Sequence, residues 1–235
     1  MFRFKQFTVK QERCPMKVGT DGVLLGAWVG VHPTDHRILD VGTGTGVIAL
    51  MMAQRAPEAQ IVGVDIDDVT EAHENAANSS WATRLAFEQC PIQEFVSAQP
   101  FDLIVSNPPF FVDSLTCPDD GRTIARHAVS LPFEELCSAV MRLLTPEGHF
   151  AVVLPIIEAE RFLNVSKGRL VPIRRTEVRT TPRRAPKRVL LEFMRVDSVG
   201  SKKQLACSEL IIGTGRHEEY TPEYRALTRD FYLKF

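Results

Sequence analysis

Short apolar runs closed by polar or glycine-rich turns alternate along this chain with stretches of helical character. Residues 37–41, 60–65, 84–88, 101–106 and 149–154 read as buried strands, each too short and too continuously apolar for an amphipathic helix. Between them, 47–55 and 133–144 read as helices, and 69–77 as a helix that Asp67 and Asp68 can cap. A further helix around 159–165 precedes two late strands, near 170–176 and 188–194, with no helix between those two. Alternating strands and helices predict an α/β domain, a doubly wound, mostly parallel sheet of seven strands covered on both faces. The late pair, joined without a crossover, makes one strand antiparallel.

Ligands of such sheets bind beyond the carboxyl ends of the strands, and two unusual turns sit there. The first is Gly42-Thr43-Gly44-Thr45-Gly46 after the strand ending in Asp40-Val41. Strand, glycine turn and helix let backbone N–H groups approach a nucleotide closely. The next strand ends in Asp65, whose carboxylate can accept two hydrogen bonds from a ribose diol. Gly44 to Ala49 also satisfies the loose G-x-G-x-x-A dinucleotide fingerprint, so a nicotinamide enzyme is an alternative. Against it, Asp40 would repel a pyrophosphate and welcome an ammonium group. A phosphate-binding P-loop is excluded because no Lys follows the glycines.

The second turn is Asn107-Pro108-Pro109-Phe110, directly after the strand 101–106. The prolines stiffen it, so a side-chain amide oxygen, a carbonyl and a ring face can meet at one point. An exocyclic amino group on a planar base needs two acceptors and a stacking surface. The competing reading is a proline-rich turn with a buried Phe.

Composition is that of an ordinary globular protein: 44% hydrophobic and 24% charged in 235 residues. No run reaches membrane-spanning length and the first residues lack a signal-peptide core. Five scattered cysteines without a C-x-x-C pair read as reduced thiols of a cytoplasmic protein, and no metal ligands are assigned. The net charge of −1 hides segregation. Residues 1–20 carry +4 and 167–188 carry +8, leaving −13 elsewhere. A basic segment on an acidic body is a candidate phosphate-contacting face, or else a solvated hairpin. The candidates for phosphate contact are Arg13, Lys17, Arg174, Arg175, Arg179, Arg183 and Arg184 in these segments, and Arg126 outside them.

The loop from Asp40 to Gly46 resembles the S-adenosylmethionine loop of class I methyltransferases. Residues 4–7, 13–28, 106–110, 188–191 and 224–233 together resemble the adenine-N6 branch, among the bacterial enzymes that modify A37 of tRNA1(Val). The resemblance covers nearly the whole chain and is most specific in its N-terminal part. It implies a Rossmann-like catalytic core over 31–235 and an arm over 1–30 that covers substrate and cofactor, within one domain. It implies S-adenosyl-L-methionine held by Thr20, Asp40, Gly42, Thr43, Gly44, Gly46, Asp65, Ile66, Cys90, Ile92 and Asn107. It implies tRNA as partner, with no protein partner. Asn107 Oδ1 and the Pro108 carbonyl would accept the N6–H bonds, Pro109 would stiffen the turn and Phe110 would stack on the base. No strong general base is required, and His127 beside Arg126 needs no role.

Two departures stand out. The family's turn usually ends in Tyr, whereas Phe110 keeps stacking without a phenol hydrogen bond. Pro91 stands where an acid is expected to bind the cofactor's adenine amino group, so groups at Cys90, Ile92 or Gln93 would replace it. Guanine-N2 methylation of ribosomal RNA, glutamine-amide methylation of a protein and a non-catalytic RNA-binding module are the alternatives.

Overall fold

A computed structural model describes residues 1–109, 131–199 and 204–235. A two-stranded hairpin, β1 (Phe2–Arg3) and β2 (Thr8–Val9), leads through an irregular arm into α1 (Thr20–Trp28). Then follow β3 (Arg37–Val41), α2 (Val47–Arg55), β4 (Gln60–Asp65), α3 (Thr70–Ala77), β5 (Leu85–Gln89) and β6 (Phe101–Ser106). Beyond residue 131 come α4 (Phe133–Leu143), β7 (Leu144–Pro155), α5 (Ile156–Ser166), β8 (Leu170–Arg179), β9 (Arg188–Arg195), β10 (Ala206–Ile211) and α6 (Pro222–Thr228).

The large sheet has the order β10-β8-β9-β7-β6-β3-β4-β5. β9 runs antiparallel to both β7 and β8, and every other pairing is parallel. The single reversed strand matches expectation, but the sheet holds eight described strands because β10 adds a parallel edge beside β8. The expected Asp cap on α3 is not formed: Val69 holds the N-cap position with no side-chain cap, and Asp68, one residue earlier, accepts the Thr70 N–H at 3.0 Å in a local turn.

Strand alternation divides the core between two faces. Ile38, Leu103, Val105, Ala151 and Val153 pack with Leu24 and Leu25 of α1 and Met51 and Met52 of α2. Their neighbours Leu39, Ile104, Phe150 and Val152 pack with Leu136 of α4 and Phe162 of α5 on the other face. The chain runs outward from β3 through β4 to β5, then returns to the far side of β3 as β6. That reversal opens a crevice at the carboxyl ends of β3 and β6. At the opposite end, His149 of β7 is buried between Glu192 of β9 (2.8 Å to Nδ1) and Asp35 (3.2 Å to Nε2). Burial works against a charged ring, but these hydrogen bonds outweigh it and push His149 up to about 9.

Candidate functional site

The crevice holds a cavity of about 540 Å³. Of the sequence-derived cofactor residues, Thr20, Gly42, Thr43, Gly44, Asp65, Ile66, Cys90, Ile92 and Asn107 line it. They come from the start of α1 and the ends of β3, β4, β5 and β6, which is why one sheet edge gathers them. Gly46 lies outside the wall, where its positive φ of 77° starts α2. Phe110, Arg126 and His127 fall outside the described residues.

The glycine loop is shaped from beneath and from the side. Gly44 has φ +52°, and a Cβ there would stand 3.3 Å from Cys14 Sγ. Its N–H donates to Asp65 Oδ2 at 2.7 Å, while the Asp67 N–H donates to Asp65 Oδ1 at 3.0 Å. Burial raises the Asp65 carboxyl above its ordinary range, although those N–H groups oppose the shift. Both oxygens keep lone pairs for hydroxyl donors on the cavity side.

Asp40 requires a correction. It is wholly buried and is not on the cavity wall, so it does not face an ammonium group directly. Its Oδ2 accepts the Thr43 hydroxyl at 2.7 Å and the Ala49 N–H at 3.2 Å, tying the loop to α2. Its Oδ1 is left without a partner among the described residues, and burial pushes the group up to about 7.

The Asn107-Pro108-Pro109 turn stands at the same cavity. The Ser106 hydroxyl donates to the Val41 carbonyl at 2.9 Å, locking the end of β6 to the end of β3. Asn107 and Pro109 line the cavity, while Pro108 is buried behind them. Pro91 is also on the wall, in the place of the expected acid. The Ile92 carbonyl accepts Arg142 at 2.9 Å, and the Gln93 amide donates to Glu135. The Cys90 thiol, raised by burial, stays neutral.

The arm closes one side of the cavity with residues 14–19. Its seat is built by α3, which sequence reasoning overlooked. Glu71 accepts N–H bonds from Glu12 (2.6 Å), Arg13 (3.3 Å) and Cys14 (2.9 Å). Burial alone would raise Glu71, but these three donors outweigh it and hold the carboxyl below the usual range. Asn75 accepts the Lys10 N–H at 2.7 Å and donates to the carbonyls of Lys10 (3.0 Å) and Thr45 (2.9 Å). One amide therefore joins arm and glycine loop. The available signal was a Glu and an Asn four apart, each beside an Ala on the inward face of α3.

Most of the basic candidates have internal partners. Lys17 donates to the carbonyls of Gln11, Glu12 and Cys14, so its three N–H bonds are committed within the arm. Arg13 pairs with Glu74, Arg175 with Glu160 and Glu177, and Arg179 with Glu209. Arg174 lies 4.0 Å from the centre of the Trp28 ring and donates to the Trp28 carbonyl at 3.0 Å. Arg183 and Arg184 are exposed and make no side-chain hydrogen bond or ion pair among the described residues. They sit on the loop from β8 to β9, whose following residue, Arg188, bonds Asp21 on the cavity wall at 2.7 Å.

Residues 33–175 match a methyltransferase domain family. Over 236 aligned residues the chain is 47% identical to a tRNA1(Val) (adenine(37)-N6)-methyltransferase of Bacteroides thetaiotaomicron, covering 99% of this chain and 97% of that one. It is 44% identical to the protein of the same name from Flavobacterium johnsoniae, with both chains fully covered. Among solved structures, a predicted O-methyltransferase from Agrobacterium tumefaciens superposes with a TM-score of 0.67 at 18% identity, covering 90% of this chain and 96% of that one.

Proposed function

The chain belongs to the tRNA1(Val) (adenine(37)-N6)-methyltransferase family, and from that premise we propose that it methylates N6 of an adenine in tRNA, in the cytoplasm, with S-adenosyl-L-methionine. The observation that carries this reading is one cavity lined by the glycine loop, Asp65, Asn107 and Pro109. The residues present fit the cofactor. Its ribose hydroxyls suit the Asp65 carboxylate, and the absent Cβ at Gly44 leaves room for close backbone approach. S-adenosylmethionine supplies an electrophilic methyl group when bound.

The protein's part is positioning and electrostatics. The N6 lone pair of adenine is delocalised into the ring and is a weak nucleophile. Asn107 Oδ1 and the Pro108 carbonyl accept its two N–H bonds, orient the nitrogen and stabilise the positive charge that develops on it. Phe110 holds the extruded base by stacking. Arg183 and Arg184 contact phosphates of the RNA around that base.

Nucleoside mass spectrometry of tRNA from a deletion strain tests the reading. Loss of N6-methyladenosine from one tRNA, restored by the purified protein, is expected. Intact N6-methyladenosine, with loss of N2-methylguanosine from ribosomal RNA or of a methylated glutamine, would overturn it.

A further inference from the structure

A second cavity, of about 450 Å³, lies at the opposite end of the sheet, where His32, Asp35, Asp102, Glu147 and His149 converge. No Lys or Arg is among its described lining residues, so its wall attracts a cation and repels an anion. His32 and His149 of that lining, together with Glu192 outside it, present one potential ligand atom each, all within 4.8 Å of one another. They come from three separated segments: the loop after α1, β7 and β9.

Asp35 organises the group. Its Oδ2 accepts the His32 main-chain N–H at 2.7 Å and faces His149 Nε2 at 3.2 Å. One carboxylate oxygen thus fixes the backbone of one histidine and the ring of the other. A carboxylate behind a histidine ring is the arrangement that orients a metal ligand and raises its basicity. His149 and Glu192 are each 4% exposed and Asp35 is 6% exposed, so the arrangement is held rigidly.

We propose that this cluster binds a divalent transition-metal ion of the zinc class through His149 Nδ1, the Glu192 carboxylate and the His32 ring, with Asp35 as the acceptor behind His149. Two imidazoles and one carboxylate suit zinc and its neighbours better than magnesium or calcium, which prefer all-oxygen shells. Without the ion, Nδ1 donates its proton to Glu192 Oε1 at 2.8 Å. The ion replaces that proton, which leaves to solvent. The nitrogen–oxygen gap then opens to about 3.3 Å, as tetrahedral bonds near 2.0 Å require. Arg174 lies 3.7 Å from the other oxygen, Oε2, and leaves Oε1 to the ion. A fourth position opens on the cavity and takes water. The bound ion would fasten the loop after α1 to β7 and β9, independently of methyl transfer.

Calorimetric titration of the chelator-stripped, full-length protein with Zn²⁺ tests the proposal. One equivalent should bind. His32→Ala should weaken binding at least tenfold, and because His32 is exposed this variant keeps its fold, as circular dichroism would verify. His149→Gln should abolish binding. With Co²⁺, visible bands of a nitrogen and oxygen site should appear without a thiolate charge-transfer band. Absence of binding, an affinity unchanged by His32→Ala, or a thiolate band would each overturn the proposal.

Discussion

Gly44, Asn107 and Glu71 each test a separate link between one residue and the proposed activity. At Gly44 the positive φ and the nearby Cys14 thiol leave no room for a branched side chain. Gly44→Val should reduce S-adenosylmethionine affinity at least tenfold, measured by calorimetry, with secondary structure retained. Asn107→Ala removes the acceptor proposed for the substrate amino group without touching the glycine loop. Single-turnover methylation should fall by about 10²–10³, the usual loss of one preorganised hydrogen-bonding group, while cofactor affinity changes little. Glu71 supplies a pH test. Its folded carboxyl titrates below the ordinary value, so its stabilisation of the arm is complete above about pH 4.3 and is lost as pH falls through the depressed value. Amide exchange at residues 12–14 should therefore accelerate only in acid. In Glu71→Gln the exchange should be fast at neutral pH as well, with little further acid dependence.

At the scale of elements, the central strands were legible because their signal is local. The runs at 37–41, 60–65 and 101–106 are buried on both sides and end in turns with distinctive residues. Of the elements that escaped, α1 and β10 did so for opposite reasons. In α1 every residue from Gly22 to Trp28 is buried, so no polar face marks the helical period. In β10 the first four residues are exposed, and the strand is defined by its parallel partner β8 rather than by its own alternation. The site divides in the same way. Glycines, Asp65 and Asn107 announce themselves by position, whereas the arm's seat on α3 depends on contacts nearly 60 residues apart in the chain. Charge counting does not say which arginines face a Glu, as Arg13, Arg175 and Arg179 do. The loop from β8 to β9 keeps two that do not. Replacing Arg183 and Arg184 together with Ala should lower the slope of log tRNA affinity against log salt by about 1–2 units. Filter binding across a salt series checks this, and the Michaelis constant for S-adenosylmethionine should stay unchanged.

For the whole molecule, the sheet separates two sites. The glycine loop and the Asn-Pro-Pro turn occupy the carboxyl ends of the parallel strands, and the histidine–carboxylate cluster occupies their amino ends. Arm residues 14–19 form part of the cavity wall, so cofactor binding should tighten the entire N-terminal segment. At a hundredfold excess over Kd, S-adenosylmethionine should stabilise the protein by about 2.7 kcal/mol. Calorimetric melting, with hydrogen exchange of residues 10–18 in parallel, measures both effects. An upward shift in Tm without arm protection would mean that the arm does not close on the ligand.

The arm's other anchor has a consequence for the order of synthesis. The Lys5 N–H donates to the Phe231 carbonyl at 2.8 Å, and the Lys5 ammonium reaches the carbonyls of Arg229 and Phe235. Phe2 and Phe4 pack on Tyr232 with ring centres 6.3 and 6.1 Å apart. During translation residues 2–5 must wait for the segment around residue 231 before this anchor exists. Residues 12–14 find their seat as soon as α3 has formed, whereas residues 2–5 dock only after the segment around residue 231 emerges. The arm is therefore fastened in two stages, its cavity end first and its other end last.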